Sequence, residues 1–219
     1  MKLKRFLIAG GNSTLLVWGC PSSEKNKIIK KYLGEVEQIG FAGTKNKLPF
    51  LNMMGGELCV NGTIALASVC GKKGKLFTSG LQNPIFYRNV NRNTSINLNI
   101  NYKKLNNKVL LEGIGYIYLK RKIKNPKKLL SDLCNQYNFP AFGILYSQNN
   151  KIQPVVYVKQ TDSLFAETAC GSGSIAFSIL TGKRNIIQPT GKTIIINRIN
   201  NSFTVSAKVT RGGKANDEL

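Results

Sequence analysis

The chain contains no histidine. That removes the side chain most used for proton transfer near neutral pH, and with it the commonest zinc ligand. Its five cysteines form no Cys-x-x-Cys pair, so no zinc-ligand spacing is present. An odd cysteine count without a signal peptide also argues against a disulfide framework. Met1-Lys2-Leu3-Lys4-Arg5 imitates the charged start of a signal peptide, but the apolar run behind it, Phe6 to Ala9, stops at Gly10-Gly11. No stretch approaches the roughly 18 apolar residues needed to cross a membrane. The chain therefore reads as cytoplasmic, with no membrane partner. Its ending, Asn-Asp-Glu-Leu, is faintly like an endoplasmic-reticulum retention signal, which means little without a signal peptide.

Acidic residues are scarce: 10 Asp plus Glu stand against 32 Lys plus Arg, a formal +22. Such a balance suggests nucleic acid or an anionic surface. A chain rich in Lys, Asn and Ile together also fits A/T-rich codon usage, which scatters lysines without a binding purpose. The basic residues do run from Lys2 to Lys214. The densest group, Lys120-Arg121-Lys122 with Lys124, Lys127 and Lys128, has little aromatic interleaving beyond Tyr116 and Tyr118. It does not read as a dedicated nucleic-acid site. The 219 residues, 42% hydrophobic, suffice for one large domain or two small ones with real cores.

What is present is one short pattern used twice. Cys59-Val60-Asn61-Gly62-Thr63-Ile64-Ala65-Leu66 and Cys170-Gly171-Ser172-Gly173-Ser174-Ile175-Ala176-Phe177 both place cysteine before small polar residues and an apolar run. Each reads as a loop feeding a buried helix, with the small polar residues as turn and cap. A cysteine there meets free backbone N–H groups and the positive end of the helix dipole, which lowers a thiol's pKa. The same N–H groups suit a carboxylate. Two such starts facing each other could hold one carboxylate while one sulfur removes the neighbouring α-proton and the other returns a proton to the opposite face. That chemistry needs no metal, no pyridoxal phosphate and no histidine. Buried structural cysteines in two similar turns are the alternative, and the one preferred for Cys20, Cys70 and Cys134.

These two stretches, each preceded by Glu57-Leu58 or Glu167-Thr168-Ala169, resemble the catalytic-cysteine motifs of the diaminopimelate epimerase family of pyridoxal-phosphate-independent racemases and epimerases. Gly10-Gly11-Asn12-Ser13 resembles that family's N-terminal turn, Met53-Met54-Gly55-Gly56-Glu57 the approach to the first cysteine in its histidine racemase branch, and Ile187-Gln188-Pro189-Thr190-Gly191 the turn after the second helix. The resemblance implies Cys59 and Cys170 as acid and base. It implies substrate contacts from Asn12, from the N–H groups of Val60, Asn61, Gly171 and Ser172, and from Glu167 toward the substrate ammonium. Bracing the loop is the equal alternative for Glu167, and Glu57 reads as a solvated loop acid. Two departures stand out: Val60 replaces the family's usual Gly, and Asp162 to Ala166 offers no Arg for a distal carboxylate. The second disfavours diaminopimelate as substrate. The expected partners are a small amino-acid substrate and, as an option, a second copy of the chain. A phenazine-biosynthesis-type isomerase of the same fold, or a basic nucleic-acid-binding module, are the competing readings.

Alternating and continuous apolar runs predict strands at Phe6–Ala9, Leu15–Trp18, Val36–Phe41, Leu76–Ser79, Ile85–Tyr87, Ser95–Ile100 and Val109–Leu119, with a hairpin turn at Asn106-Asn107. Gln38 reads as an exposed strand residue, with a side chain pointing to the site as the alternative. Helices are expected from Pro21 to Leu33 with Ser23 as cap, from Gly62 to Val69, from Lys127 to Tyr137, and from Gly173 to Leu180. The order repeats: hairpin, approach strand, cysteine, buried helix, closing hairpin. It predicts an α+β fold of two pseudo-symmetric lobes, each a curled, mostly antiparallel sheet around a central helix, residues 1–122 and 123–219, as in the resembled family.

Overall fold

The computed structural model describes residues 1–212; the Asn-Asp-Glu-Leu ending lies outside the described residues. Strands dominate because apolar residues alternate or run together in short stretches between Asn- and Gly-rich turns. The first half comprises β1 (Lys2–Ile8), β2 (Gly11–Trp18), α1 (Lys25–Tyr32), β3 (Gln38–Lys45), β4 (Leu48–Met53), α2 (Val60–Ala67), β5 (Lys73–Thr78), β6 (Ile85–Val90) and β7 (Asn93–Asn99). Then follow β8 (Tyr102–Leu105), β9 (Lys108–Leu111), β10 (Ile114–Tyr118), α3 (Pro126–Tyr137), β11 (Ala141–Gln148), β12 (Lys151–Val158) and β13 (Ser163–Ala166). The chain continues through α4 (Gly171–Thr181), β14 (Asn185–Ile187), β15 (Thr193–Ile199) and β16 (Ser202–Arg211).

The fold is α+β, with strands joined in the order β1-β2-β3-β4-β5-β6-β7-β16-β15-β14-β12-β11-β10-β9-β8 and β13 on β12. β16 also pairs with β1, Phe6 opposite Arg211, so β1 to β7 close with β16 into a barrel-like sheet. Every residue of α2 is buried, and the helix contacts β1 to β4, β6, β7 and β16. Helix α4, apolar nearly all round, packs on β9 to β11 and β14 to β16. A helix hydrophobic on all sides has to lie inside sheet, which is why these two sit at the centre. β10 pairs in parallel with β11 across the expected 122/123 boundary. Helix α3 is amphipathic and lies outside on β11 and β12, over its own small cluster with Leu130, Leu133 and Cys134. Two lysines of the densest basic group are held in surface ion pairs, Lys127 with Asp162 at 2.7 Å and Lys128 with Asp132 at 3.4 Å.

Several local readings change. Residues Ser22–Glu24 form a 3-10 turn and α1 begins after it without a side-chain cap, so Ser23 does not cap the helix. The expected strand over 109–119 is broken at Glu112-Gly113, and the Asn106-Asn107 turn joins β8 to β9. The β1–β2 turn is made by Ala9 and Gly10, φ 50° and 73°, a pair of positive values suited to a tight hairpin. Asn12 lies just inside β2 with φ 32°.

Tyr116 of β10 is fully buried, and its ring lies against Gly143 of β11: a Cβ there would be 2.4 Å from the ring. Gly143→Ala is expected to destabilise by about 1–3 kcal/mol through overpacking. A lower urea midpoint with an unchanged slope would show it.

Candidate active site

Both helix starts are capped by the cysteine itself, not by the small polar residues after it. Sγ of Cys59 accepts the Gly62 N–H at 3.2 Å and Sγ of Cys170 accepts the Gly173 N–H at 3.2 Å. The hydroxyls of Thr63 and Ser174 each donate back to the cysteine carbonyl one turn earlier, at 2.7 and 2.6 Å. The doubled sequence pattern is thus a doubled capping arrangement.

The two starts abut. Asn61 donates through Nδ2 to the Ala169 carbonyl at 2.8 Å and accepts the Gly171 N–H on Oδ1 at 3.0 Å. A Cβ at residue 171 would stand 2.4 Å from Cγ1 of Val60, so glycine in one motif makes room for valine in the other. Val60 therefore packs against the opposing helix start and does not line the cavity.

Between the starts lies a narrow cavity. Cys59, Asn61, Glu167 and Ser172 line it, four of the residues singled out in the sequence. Cys170 stands just behind, its Sγ 3.3 Å from Oη of Tyr116 and 3.9 Å from Oγ of Ser172, both of which line the cavity. Asn12 is buried behind the wall with its side chain fully engaged: Oδ1 accepts from Gln38 at 2.6 Å and Thr14 at 3.1 Å, and Nδ2 donates to Glu37 at 3.2 Å. It supports residues that face the cavity. Of the four N–H groups expected to cradle a carboxylate, that of Gly171 is taken by Asn61 and that of Asn61 lies against the Cys59 sulfur. Those of Val60 and Ser172 remain.

Four further lining residues escaped the sequence reading or were misread in it. Gln38 is buried, and its Oε1 accepts the Cys59 S–H at 3.0 Å. Glu37, adjacent on the chain, lines the cavity too. Glu57 is buried, not solvated, with Oε2 on the Gly55 N–H at 2.9 Å. Tyr116 reaches in from β10. Gln188, quoted only as part of a turn, fixes the second start by accepting the Cys170 N–H at 2.8 Å and donating to Ser174 at 3.0 Å. Oε2 of Glu167 is buried without a hydrogen-bond partner among the described residues. The ion pairs found among the described residues all lie on the surface, and none involves Glu37, Glu57 or Glu167. A chain carrying +22 has gathered unpaired acids into this one cavity.

The expected lowering of the thiol pKa values does not hold. Burial pushes both thiols well above the usual range, Glu57 adds to the rise at Cys59 and Glu167 at Cys170, and the Gly62 and Gly173 N–H groups offset only part of it. Desolvation outweighs the helix starts. Burial likewise raises Glu57 to about 7 and Glu167 to about 8. Each carboxyl then keeps its proton in the folded chain at pH values where the unfolded chain, titrating near 4.3, has lost it. The folded state binds more protons, so stability falls as pH rises from about 4.5 through 8. The melting temperature is expected to decline across that window, and Glu57→Gln with Glu167→Gln to flatten the decline.

No family model matches the chain. It is 27% identical over 226 residues to a histidine racemase of Fusobacterium nucleatum, covering 83% of this chain and 84% of that protein. Among solved structures it is similar to a phenazine biosynthesis PhzC/PhzF protein from Clostridium difficile, with TM-score 0.64, 13% identity and 99% of each chain covered. It is similar as well to a predicted epimerase from Pseudomonas aeruginosa, with TM-score 0.64, 7% identity and 96% of each chain covered. The structural likenesses establish the fold, and with the sequence relative the chain is an enzyme, an isomerase of the racemase or epimerase type.

Proposed function

We propose that the chain is a cofactor-independent amino-acid racemase or epimerase of the diaminopimelate epimerase family, nearer its histidine racemase branch, working as two lobes that each present one sulfur. Cys59 and Cys170 invert the α-carbon as opposed acid and base. The observation that carries this reading is Asn61, which ties the two cysteine-capped helix starts together across one cavity. A substrate carboxylate is held by the Ser172 N–H on the cavity wall, with that of Val60 behind it, and the ammonium by Glu167 with Glu37 nearby. Entry of that ammonium sets a positive charge among buried acids and sulfurs, which lowers the cost of forming a thiolate. Fixed dipoles in a water-excluding cavity stabilise the charge developing on the carboxylate. The side chain accepted is set by Met54, Ile114, Val158 and Phe165 on the cavity wall. Histidine, named for the Fusobacterium relative, is the first substrate to try.

Incubation with single L-amino acids in heavy water tests this directly. Deuterium at Cα together with appearance of the D-enantiomer supports it, and absence of exchange with every amino acid and with diaminopimelate sinks it. A second reading draws on the buried Glu57 and the half-buried Glu167, carboxyls pushed up to about 7 and 8 and so suited to act as bases near neutral pH. In that case the chain is a phenazine-type isomerase with a carboxylate base, and activity survives loss of both cysteines.

A further inference from the structure

The two cysteines match in sequence pattern, in cap geometry and in the hydroxyl behind each cap, yet their side-chain partners differ: Gln38 at Cys59, and Tyr116, Ser172 and Glu167 at Cys170. Cys59 meets an amide and Cys170 meets a phenol. The amide's orientation is dictated from behind. An ionised carboxylate only accepts, so Glu37 turns the Asn12 amide nitrogen toward itself and the Asn12 oxygen toward Gln38. Gln38 then has to aim its nitrogen at Asn12 and at Thr14, 2.7 Å away, leaving its oxygen for Cys59. A carbonyl oxygen cannot donate, so this contact is satisfied only by a protonated sulfur.

The phenol has the opposite freedom. Oη of Tyr116 is 2.8 Å from Oγ of Ser172 and 3.3 Å from Sγ of Cys170. With the Ser172 hydroxyl donating to Oη, the tyrosine proton points at the sulfur, which already receives the Gly173 N–H. Cys59 also receives two N–H groups, from Gly62 and Asn61, but its contact with the Gln38 oxygen requires the thiol, whereas the Gly173 N–H and the Tyr116 hydroxyl can both donate to a Cys170 anion.

We infer that Tyr116 is a positioning residue that makes Cys170 the base of the resting enzyme, while Gln38 keeps Cys59 as the acid. This rests on the racemase reading and deepens it, since it makes the resting enzyme ready for one enantiomer and not the other. The charged groups facing Cys170 are Glu167 ahead of α4 and Tyr116 from β10, with Glu37 and Glu57 bearing on Glu167; those facing Cys59 are Glu57 and Glu167. Glu167, titrating at about 8, is largely neutral at pH 7 and then no longer repels the Cys170 anion. The proton that leaves Cys170 is held on that carboxyl until the substrate ammonium pairs with Glu167 and the proton passes to solvent.

The test is the rate at which methyl methanethiosulfonate modifies each cysteine across pH, mapped by peptide mass spectrometry in the intact wild-type chain and in Tyr116→Phe. Cys170 is expected to react ahead of Cys59, its profile lying at lower pH than that of Cys59. Tyr116→Phe should raise the apparent pKa of Cys170 by about one unit, roughly a tenfold loss of thiolate below it, and leave Cys59 unmoved. Coincident wild-type profiles overturn the inference, as does a variant that shifts neither sulfur or both alike. The wild-type comparison stands even if the variant fails to fold. Deuterium exchange read on the same preparation separates the two claims: no exchange ends the racemase reading, whereas exchange with coincident thiol profiles ends only the inequality.

Discussion

Serine in place of Cys59 or Cys170 is expected to abolish inversion, with a fall of roughly 10²–10⁴-fold for the loss of one positioned acid or base. A serine hydroxyl does not ionise near neutral pH, so the proton on its face can neither be taken nor readily returned. The more telling outcome concerns exchange without inversion. Each single variant keeps one working sulfur, which can still remove and replace the α-proton on its own face. Cys59→Ser should incorporate deuterium into one enantiomer with retention, and Cys170→Ser into the other. Chiral chromatography with mass detection reads both quantities at once. If the two variants favour the same enantiomer, the sulfurs do not flank the carbon. If both variants invert at the wild-type rate, the buried carboxyls carry the reaction.

Asn61→Ala is expected to lower stability by about 2–6 kcal/mol, since it strands a buried N–H at Gly171 and a buried carbonyl at Ala169, at roughly 1–3 kcal/mol each. At about 2–4 °C per kcal/mol for a chain of this size, the melting temperature should drop by roughly 4–24 °C. Catalysis should suffer beyond the unfolded fraction, because the same residue fixes how the two helix starts meet. Asn61→Asp retains an acceptor for Gly171 but, when ionised, sets a buried charge against the Ala169 carbonyl among the cavity's acids, so it should be no more stable than alanine at high pH and should recover at low pH, where the protonated carboxyl can donate to Ala169. Calorimetry of the three proteins gives the order; equal melting temperatures would mean that the abutment is held by Val60 against Gly171 alone.

The parts of this architecture that were legible in the sequence are those written locally. The helix starts after Cys59 and Cys170, though not the residue that caps each, the all-apolar helices behind them and most hairpins follow from spacing within a dozen residues. What was not legible depends on residues far apart in the chain. Asn61 reads as a helix-start polar residue until Ala169 and Gly171 are found beside it. Gln38 reads first as strand surface because alternation cannot say which face of the sheet is the cavity wall, and Glu37, just ahead of β3, carries no local signal at all. Glu57 looked solvated because a loop acid normally is; its burial comes from the sheet closing over it. Tyr116 sits in a continuous β-rich run, with nothing local to show that Gly143 lets its ring lie flat and its hydroxyl reach Cys170. The thiol pKa reading erred on magnitude: the helix start was identified, but full burial is the larger effect.

The seam between β1 and β16 also bears on how the chain acquires its shape. On the edge facing away from β2, Phe6, Leu7 and Ile8 find their partners in Arg211, Thr210 and Val209. During synthesis the first curved sheet has to wait, ajar, with the greasy α2 inside it, until nearly the last described residues have left the ribosome. Loop closure over such a span is slow, and strand edges stay open meanwhile. A lysine-rich surface is well suited to that interval, because like charges keep half-finished copies apart.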